Sequence, residues 1–267
     1  MSELRGIGRQ RTIRFLRPKR NSLLMTANPG ITAYGPAGLA LLCSIMMIGN
    51  RVPMQAKAAI SDAVAIHIDH DIALDARNSA PEWKKASPVT FELDWQGRNQ
   101  DPGRLTEVRL LWSAKTLYLR FECRYRELFL FDGSDPNGRR DHLWDRDVAE
   151  AFLQPDPARP FFYKEFEVSP NGMWIDLDIF PGGRSDLNSG VQRSVFLDER
   201  SQMWTAELAI PMKSLTAHLD PGRRWRCNFF RVEGRREPRS YMAWRSTGTP
   251  QPDFHVPARF GDLRFEK

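Results

Sequence analysis

Residues 117–125 alternate strictly: Leu117, Leu119, Phe121, Cys123 and Tyr125 fall on one face, and Tyr118, Arg120, Glu122 and Arg124 on the other. A period of two held over nine residues predicts a half-buried strand. Residues 106–112 precede it, and Ser113-Ala114-Lys115-Thr116 between the two reads as a hairpin turn. Similar patterns predict strands at 89–93, 149–153, 162–168, 173–180, 191–197, 203–210, 225–233, 241–244 and 263–265. Ser169-Pro170-Asn171-Gly172 reads as a second hairpin turn, because Pro fixes φ while Asn and Gly accept positive φ. Helical periodicity is confined to two short stretches, 80–86 and 211–218. Many short strands with almost no helix predict an all-β, antiparallel β-sandwich with one or two short helical turns.

The first 58 residues break this pattern. Arg and Lys crowd positions 5–20, no charge occurs from 21 to 50, and the most apolar run is 37–48. Ala56-Lys57-Ala58 follows with a small-x-small spacing. This predicts a secretory signal cut after Ala58, or an uncleaved membrane anchor that uses more of the charge-free run. Met25 is an alternative start. Residues 59–267 would then be one exported β domain: secreted, periplasmic or held at the cell surface, touching membrane only through the N-terminal segment. The charge balance agrees with that division. Residues 1–58 carry a net +8 and the remainder a net −2, within a total of +6. That removes most of the case for nucleic-acid binding by the predicted domain and leaves open a local basic patch such as Arg235-Arg236 with Arg239. Cys123 and Cys227 lie in strand-like segments and could pair or remain buried thiols.

The stretch Leu143-Trp144-Asp145-Arg146-Asp147-Val148-Ala149-Glu150 is the least explained by core formation. A carboxylate inside an apolar run needs a partner: a hydroxyl, a metal ion or another side chain. Trp144, in a polar loop before a strand, is either an anchor on the sheet end or a flat platform for a sugar face. Phe254 sits in a loop with three prolines, Pro250, Pro252 and Pro257, which hold it extended and exposed. Asp147 and Glu150 are three apart on a predicted strand, so they point to opposite faces and make a poor catalytic pair. Asp176 and Asp178 read as a solvent-facing row. Asp132, Asp135, Asn137 and Asp141 read as a solvated loop whose spacing is not that of a helical calcium loop. No nucleophile elbow and no phosphate-binding glycine loop occurs.

Trp144-x-x-Asp147-x-x-Glu150-x-Phe152 resembles the strand signature of carbohydrate-binding module family 9. The resemblance continues through residues 108–112 with 117–119, through 204–211, through Asn228-Phe229 with Arg231 and Ala243-Trp244, and into Phe260-Gly261-Asp262-Leu263. It runs from about residue 65 to the end. It implies a jelly-roll β-sandwich that binds oligo- or polysaccharide between two aromatic rings, often with bound calcium. Carried onto this chain, it implies Trp144 and Phe254 as the two walls, Glu150 as acceptor for sugar hydroxyls, and Asp147 as support for the rim or a metal. Two positions depart from the family pattern. Phe254 stands where family xylanase modules have Trp, and Glu167 stands where they have a basic residue. The expected function is non-catalytic carbohydrate binding in polysaccharide use. The alternatives are a haem-binding electron-transfer domain using ligands from Met203, Met212, His218 and His255, a glycoside hydrolase relying on Glu150, and a structural or partner-binding sandwich with a vestigial slot.

Overall fold

The computed structural model describes residues 61–132, 135, 138–219 and 221–267, so the leader predicted at 1–58 and Asn137 lie outside the described residues. The strands are β1 (Ala63–His67), β2 (Val89–Phe91), β3 (Thr106–Trp112), β4 (Thr116–Arg124), β5 (Val148–Gln154), β6 (Tyr163–Val168) and β7 (Trp174–Phe180). They continue with β8 (Gly183–Asp186), β9 (Gln192–Asp198), β10 (Met203–Pro211), β11 (Arg224–Glu233), β12 (Ser240–Ala243) and β13 (Gly261–Glu266). Helical residues among those described form only single 3-10 turns, such as Pro81–Lys85 and Met212–Ser214 in the two stretches expected to be helical.

All of these strands belong to one sheet, ordered β8-β7-β6-β5-β11-β13-β1-β3-β4-β10-β9, with β12 added to β11 and β2 to β3. The two layers of the sandwich are therefore one continuous sheet curled back on itself. Inward side chains of β5, β6 and β11 (Ala149, Ala151, Phe166, Phe229) share a core with those of β3, β4 and β10 (Leu110, Leu119, Phe121, Trp204). Phe121 and Phe229 meet edge to face, 6.1 Å between centroids, across this seam. The expectation of a purely antiparallel sandwich is corrected at one place: β1 runs parallel to both β13 and β3. Being neither long nor alternating with charge, β1 left little periodic trace. The all-exposed β8 left none, since no face of it is buried. Cys123 and Cys227 are both buried and free.

A buried charge network crosses the seam as well. Arg231 of β11 lies over the Trp204 ring of β10 at 5.2 Å and pairs with Glu233 at 3.1 Å. Glu233 also accepts from Arg104 Nε at 2.9 Å and from the Arg126 backbone N–H at 3.0 Å. Asp101 then pairs with both Arg104 and Arg126. A buried arginine is tolerated only when its charge is matched and bonded in this way.

Two outcomes are expected from this packing. Phe121→Ala opens a cavity at the seam and lowers unfolding free energy by about 3–5 kcal/mol in chemical denaturation, whereas exposed Thr90→Ala stays within about 0.5 kcal/mol. Hydrogen bonds from Arg126 lead in holding the Asp101 carboxyl down at about 2, against an ordinary 3.8. Its contribution to stability is therefore complete above about pH 4 and is lost as pH falls toward 2. Asp101→Asn should cost about 1–2 kcal/mol at pH 7, the partial exposure of the group included, and the gap from wild type should close over that acid window.

Candidate functional site

The core-facing side of β5, β6, β7 and β11 looks toward the other half of the sheet. Their opposite side has no second layer and carries its own apolar cluster: Phe152, Phe230, Val232, Tyr163, Ile175 and Leu177. Loops cover it, and between them lies a slot of about 580 Å³. Trp144, Glu150, Glu165, Glu167, Arg239 and Phe254 are among its lining residues.

The floor comes from strand register. Glu150 on β5 lies directly opposite Glu167 on β6 and, on its other side, Phe230 on β11. Glu165 is two residues back along β6, hence on the same face as Glu167. All three carboxylates are buried, with Glu150 only 3% exposed. One oxygen from each lies within 4.8 Å of the others. Glu150 Oε1, Glu165 Oε2 and both oxygens of Glu167 have no hydrogen-bond partner. Burial pushes the Glu150 carboxyl well above its ordinary range, Glu165 adds to the shift, and Arg239 opposes it. Burial does the same to Glu167, reinforced by Glu150 and Glu165 and opposed by Arg184.

Trp144 rides on the 3-10 turn Leu143–Asp145, with Leu143 sunk beneath it. His142, at φ 56°, turns the chain into this position. The ring is half-buried, with the His142 ring 4.7 Å away and the Arg184 guanidinium 4.8 Å from its centroid. Arg184 is itself held by the Asp141 carboxylate at 2.7 and 3.2 Å. Asp141, exposed as expected of a solvated loop, thus holds Arg184 against the Trp144 ring. The Trp144 carbonyl accepts from Arg239 at 3.0 Å, and Arg239 also donates to Gly234 O at 2.9 Å.

Asp147 does not line the slot. It sits just behind the rim, accepting from the backbone N–H groups of Phe129 and Gly234, each at 2.8 Å, with Arg239 at 3.6 Å. Burial pushes its carboxyl up to about 6, while those two N–H groups and Arg231 pull the other way. It joins three chain segments whose positions shape the slot mouth.

Phe254 is only 9% exposed, less than its proline-rich loop suggests. It stacks on Phe230, 4.2 Å between centroids and 12° between planes, and meets Tyr241 edge-on at 6.2 Å. The loop is drawn in because Thr247 and Gly248 donate backbone N–H groups to Trp95 O, and Trp95 Nε1 donates to Thr249 O. His255 is bonded to Tyr163 through Nδ1 at 2.7 Å. Thus Trp144, Phe254 and Glu150 border one slot, with Asp147 one layer behind.

The slot residues that sequence reasoning did not assign to the site are Glu165 and Arg239. The signal for Glu165 was present: Tyr163, Glu165 and Glu167 share one face of β6, an unusual composition for a buried strand face. Arg239 acts from a turn and left no periodic trace. Asp176, expected to face solvent, is fully buried; it accepts from Ser189 N–H at 2.7 Å and faces Arg139 at 3.4 Å. Of the alternative metal ligands, Met212 and His218 border a separate cavity and His255 borders the slot.

Residues 74–267 match the family described as carbohydrate family 9 binding domain-like. A protein of Arthroderma benhamiae named "Extracellular protein" is 28% identical over 78% of this chain and 96% of its own length. Among solved structures, a Bacteroides uniformis protein described as a candidate carbohydrate-binding protein aligns with TM-score 0.61 at 16% identity, over 77% of this chain and all of that one. A carbohydrate binding module family 9 from Caldicellulosiruptor kristjanssonii in complex with cellotriose aligns with TM-score 0.57 at 14% identity, over 77% and 94% of the two chains. At these identities the structural neighbours establish the fold.

Three buried carboxylates in mutual reach destabilise the fold that carries them. In metal-free buffer at pH 8, Glu167→Gln should raise unfolding free energy by about 1–2 kcal/mol. Because the folded-state carboxyl is raised, the gain should shrink as pH falls toward the ordinary 4.5, where the unfolded chain is protonated too. Denaturant titrations of both proteins across that range check it.

Proposed function

The chain belongs to the carbohydrate family 9 binding domain-like family, and we propose that it is a non-catalytic carbohydrate-binding domain whose sugar enters the slot between Trp144 and Phe254. The observation that carries this reading is an aromatic-walled slot floored by a carboxylate, Glu150, with an unpartnered oxygen. A pyranose presents C–H groups on its faces and hydroxyls at its edge. A Trp ring covers the first, and an acceptor with a free lone pair meets the second. The burial of Phe254 against Phe230 makes it the narrower wall, so Trp144 supplies most of the stacking surface. Two neighbours described as carbohydrate binding module family 9 from Caldicellulosiruptor kristjanssonii, one in complex with cellotriose and one with glucose, make these the first sugars to try.

The three acids of the slot floor do not make a flanking catalytic pair among themselves. Glu150, Glu165 and Glu167 lie side by side on adjacent strands and on one face. Glycoside hydrolysis needs carboxyls on two sides of the scissile bond. The proposal includes export and a role in polysaccharide use. It is supported by the charge-free run at 21–50 and the Ala56-Lys57-Ala58 spacing, alongside the name of the Arthroderma relative.

Calorimetric titration of the full chain with cellotriose and glucose, backed by a glycan-array screen, tests the reading. Trp144→Ala should weaken binding about tenfold or more, roughly 1.4 kcal/mol, while leaving the denaturation midpoint near wild type. Equal affinity of Trp144→Ala and wild type for every sugar bound would sink it.

A further inference from the structure

The slot floor poses a problem that a sugar alone does not solve. Glu150, Glu165 and Glu167 together hold four oxygens without a hydrogen-bond partner, all buried. Ordinarily a buried carboxylate is matched by a backbone N–H, an arginine or a metal ion. Of the nearby arginines, Arg184 is bound to Asp141, and Arg239 donates through Nε and Nη1 to the Gly234 and Trp144 carbonyls while its Nη2, 3.6 Å from Asp147, has no hydrogen-bond partner. They lend positive potential to the floor without donating to it. The three side chains are directed toward one another by strand register, an arrangement that like charges oppose and a cation rewards.

We infer that Glu150, Glu165 and Glu167 hold a divalent cation of the calcium type, which presents its remaining coordination positions to hydroxyls of the bound sugar. The second half rests on the carbohydrate-binding reading above. The donor set is all oxygen and all anionic, which selects hard cations over zinc or copper. Three oxygens within 4.8 Å of one another lie within roughly 2.8 Å of a common centre. A centre within that reach accommodates the calcium–oxygen distance of about 2.3–2.6 Å, and three side chains fixed by strand register suit calcium's flexible coordination better than the strict octahedron of magnesium. Three carboxylates around a doubly charged ion leave one negative charge, which faces Arg239 and Arg184. Calcium takes about 6–8 oxygens, more than three monodentate side chains supply. The uncovered side of the ion would face the slot, where vicinal hydroxyls can take those positions. The slot would then grip a sugar by a ring on its face and an ion at its edge.

The experiment uses the full chain, stripped with chelator, and titrates calcium by calorimetry without sugar; terbium luminescence sensitised by tryptophan provides a second readout. Wild type should bind calcium and gain thermal stability from it. Glu150→Gln and Glu167→Gln should each lose at least about tenfold in calcium affinity and most of that gain. Glu199→Gln, on the exposed surface, should behave as wild type. Because the two slot variants are near-isosteric, their own denaturation curves show that they are folded. Cellotriose affinity should fall about tenfold or more in chelator for wild type. Absence of calcium binding, or binding unchanged in both slot variants, overturns the cation site even if cellotriose binds well. Calcium binding that behaves as expected while no sugar binds, with or without calcium, retains the cation site and overturns the hydroxyl ligation together with the carbohydrate reading. Cellotriose binding indifferent to chelator overturns the hydroxyl ligation alone.

Discussion

The structure depends on a sheet that must hide two faces with only one partner layer. Curling lets the two halves bury their inner faces against each other, and Phe121, Phe229 and the Arg231–Trp204 contact close that seam. The outer face of β5, β6, β7 and β11 gains nothing from the curl. It is still apolar, with Phe152, Phe230, Tyr163 and Leu177 clustered on it, so it must be covered by loops. Loops cover a surface imperfectly, and the gap they leave is the slot. The site is thus a by-product of how a single sheet is wound. Its polar floor is set by the choice of three side chains on a face that would otherwise be continuous core.

Rigidity at the site comes from outside it. Trp144 and Phe254 stand on irregular segments, yet each segment is tied to a strand end or a buried ring. Trp144 is tied through Arg239 and the turn above Leu143, and Phe254 through its stack on Phe230 and the Trp95 anchor. Asp147 collects the backbone of Phe129 and Gly234 behind the rim. The aromatic surfaces are therefore ordered before any ligand arrives, and less conformational entropy is left to lose on binding.

What the sequence disclosed follows from which signals are periodic. Strands whose apolar and polar residues alternate, such as β4 and β10, announced themselves even though both of their faces are largely buried, and the hairpin at 113–116 did so by its spacing. β1, paired parallel in mid-sheet, and β8, exposed throughout, do not alternate, so neither was readable. Trp144, Glu150 and Phe254 were legible as residues out of place, but only register could show that Glu165 and Glu167 join Glu150, since the pairing of β5 with β6 is a long-range fact. The burial of Asp176 shows the same limit from the other side. Alternation says that a residue faces away from its neighbours, not what a distant loop places over it; here Ser189 and Arg139 do so.

The link from Arg239 to the Trp144 carbonyl makes the ring's position depend on the exposed turn at 235–238, which leads from β11 into β12. Exposed turns tolerate changes of length and composition that a strand does not. A lineage carrying this fold can therefore widen or narrow its slot by editing a surface hairpin, leaving the core untouched. Divergence of ligand preference between relatives would then be sought in that turn before the residues of the floor.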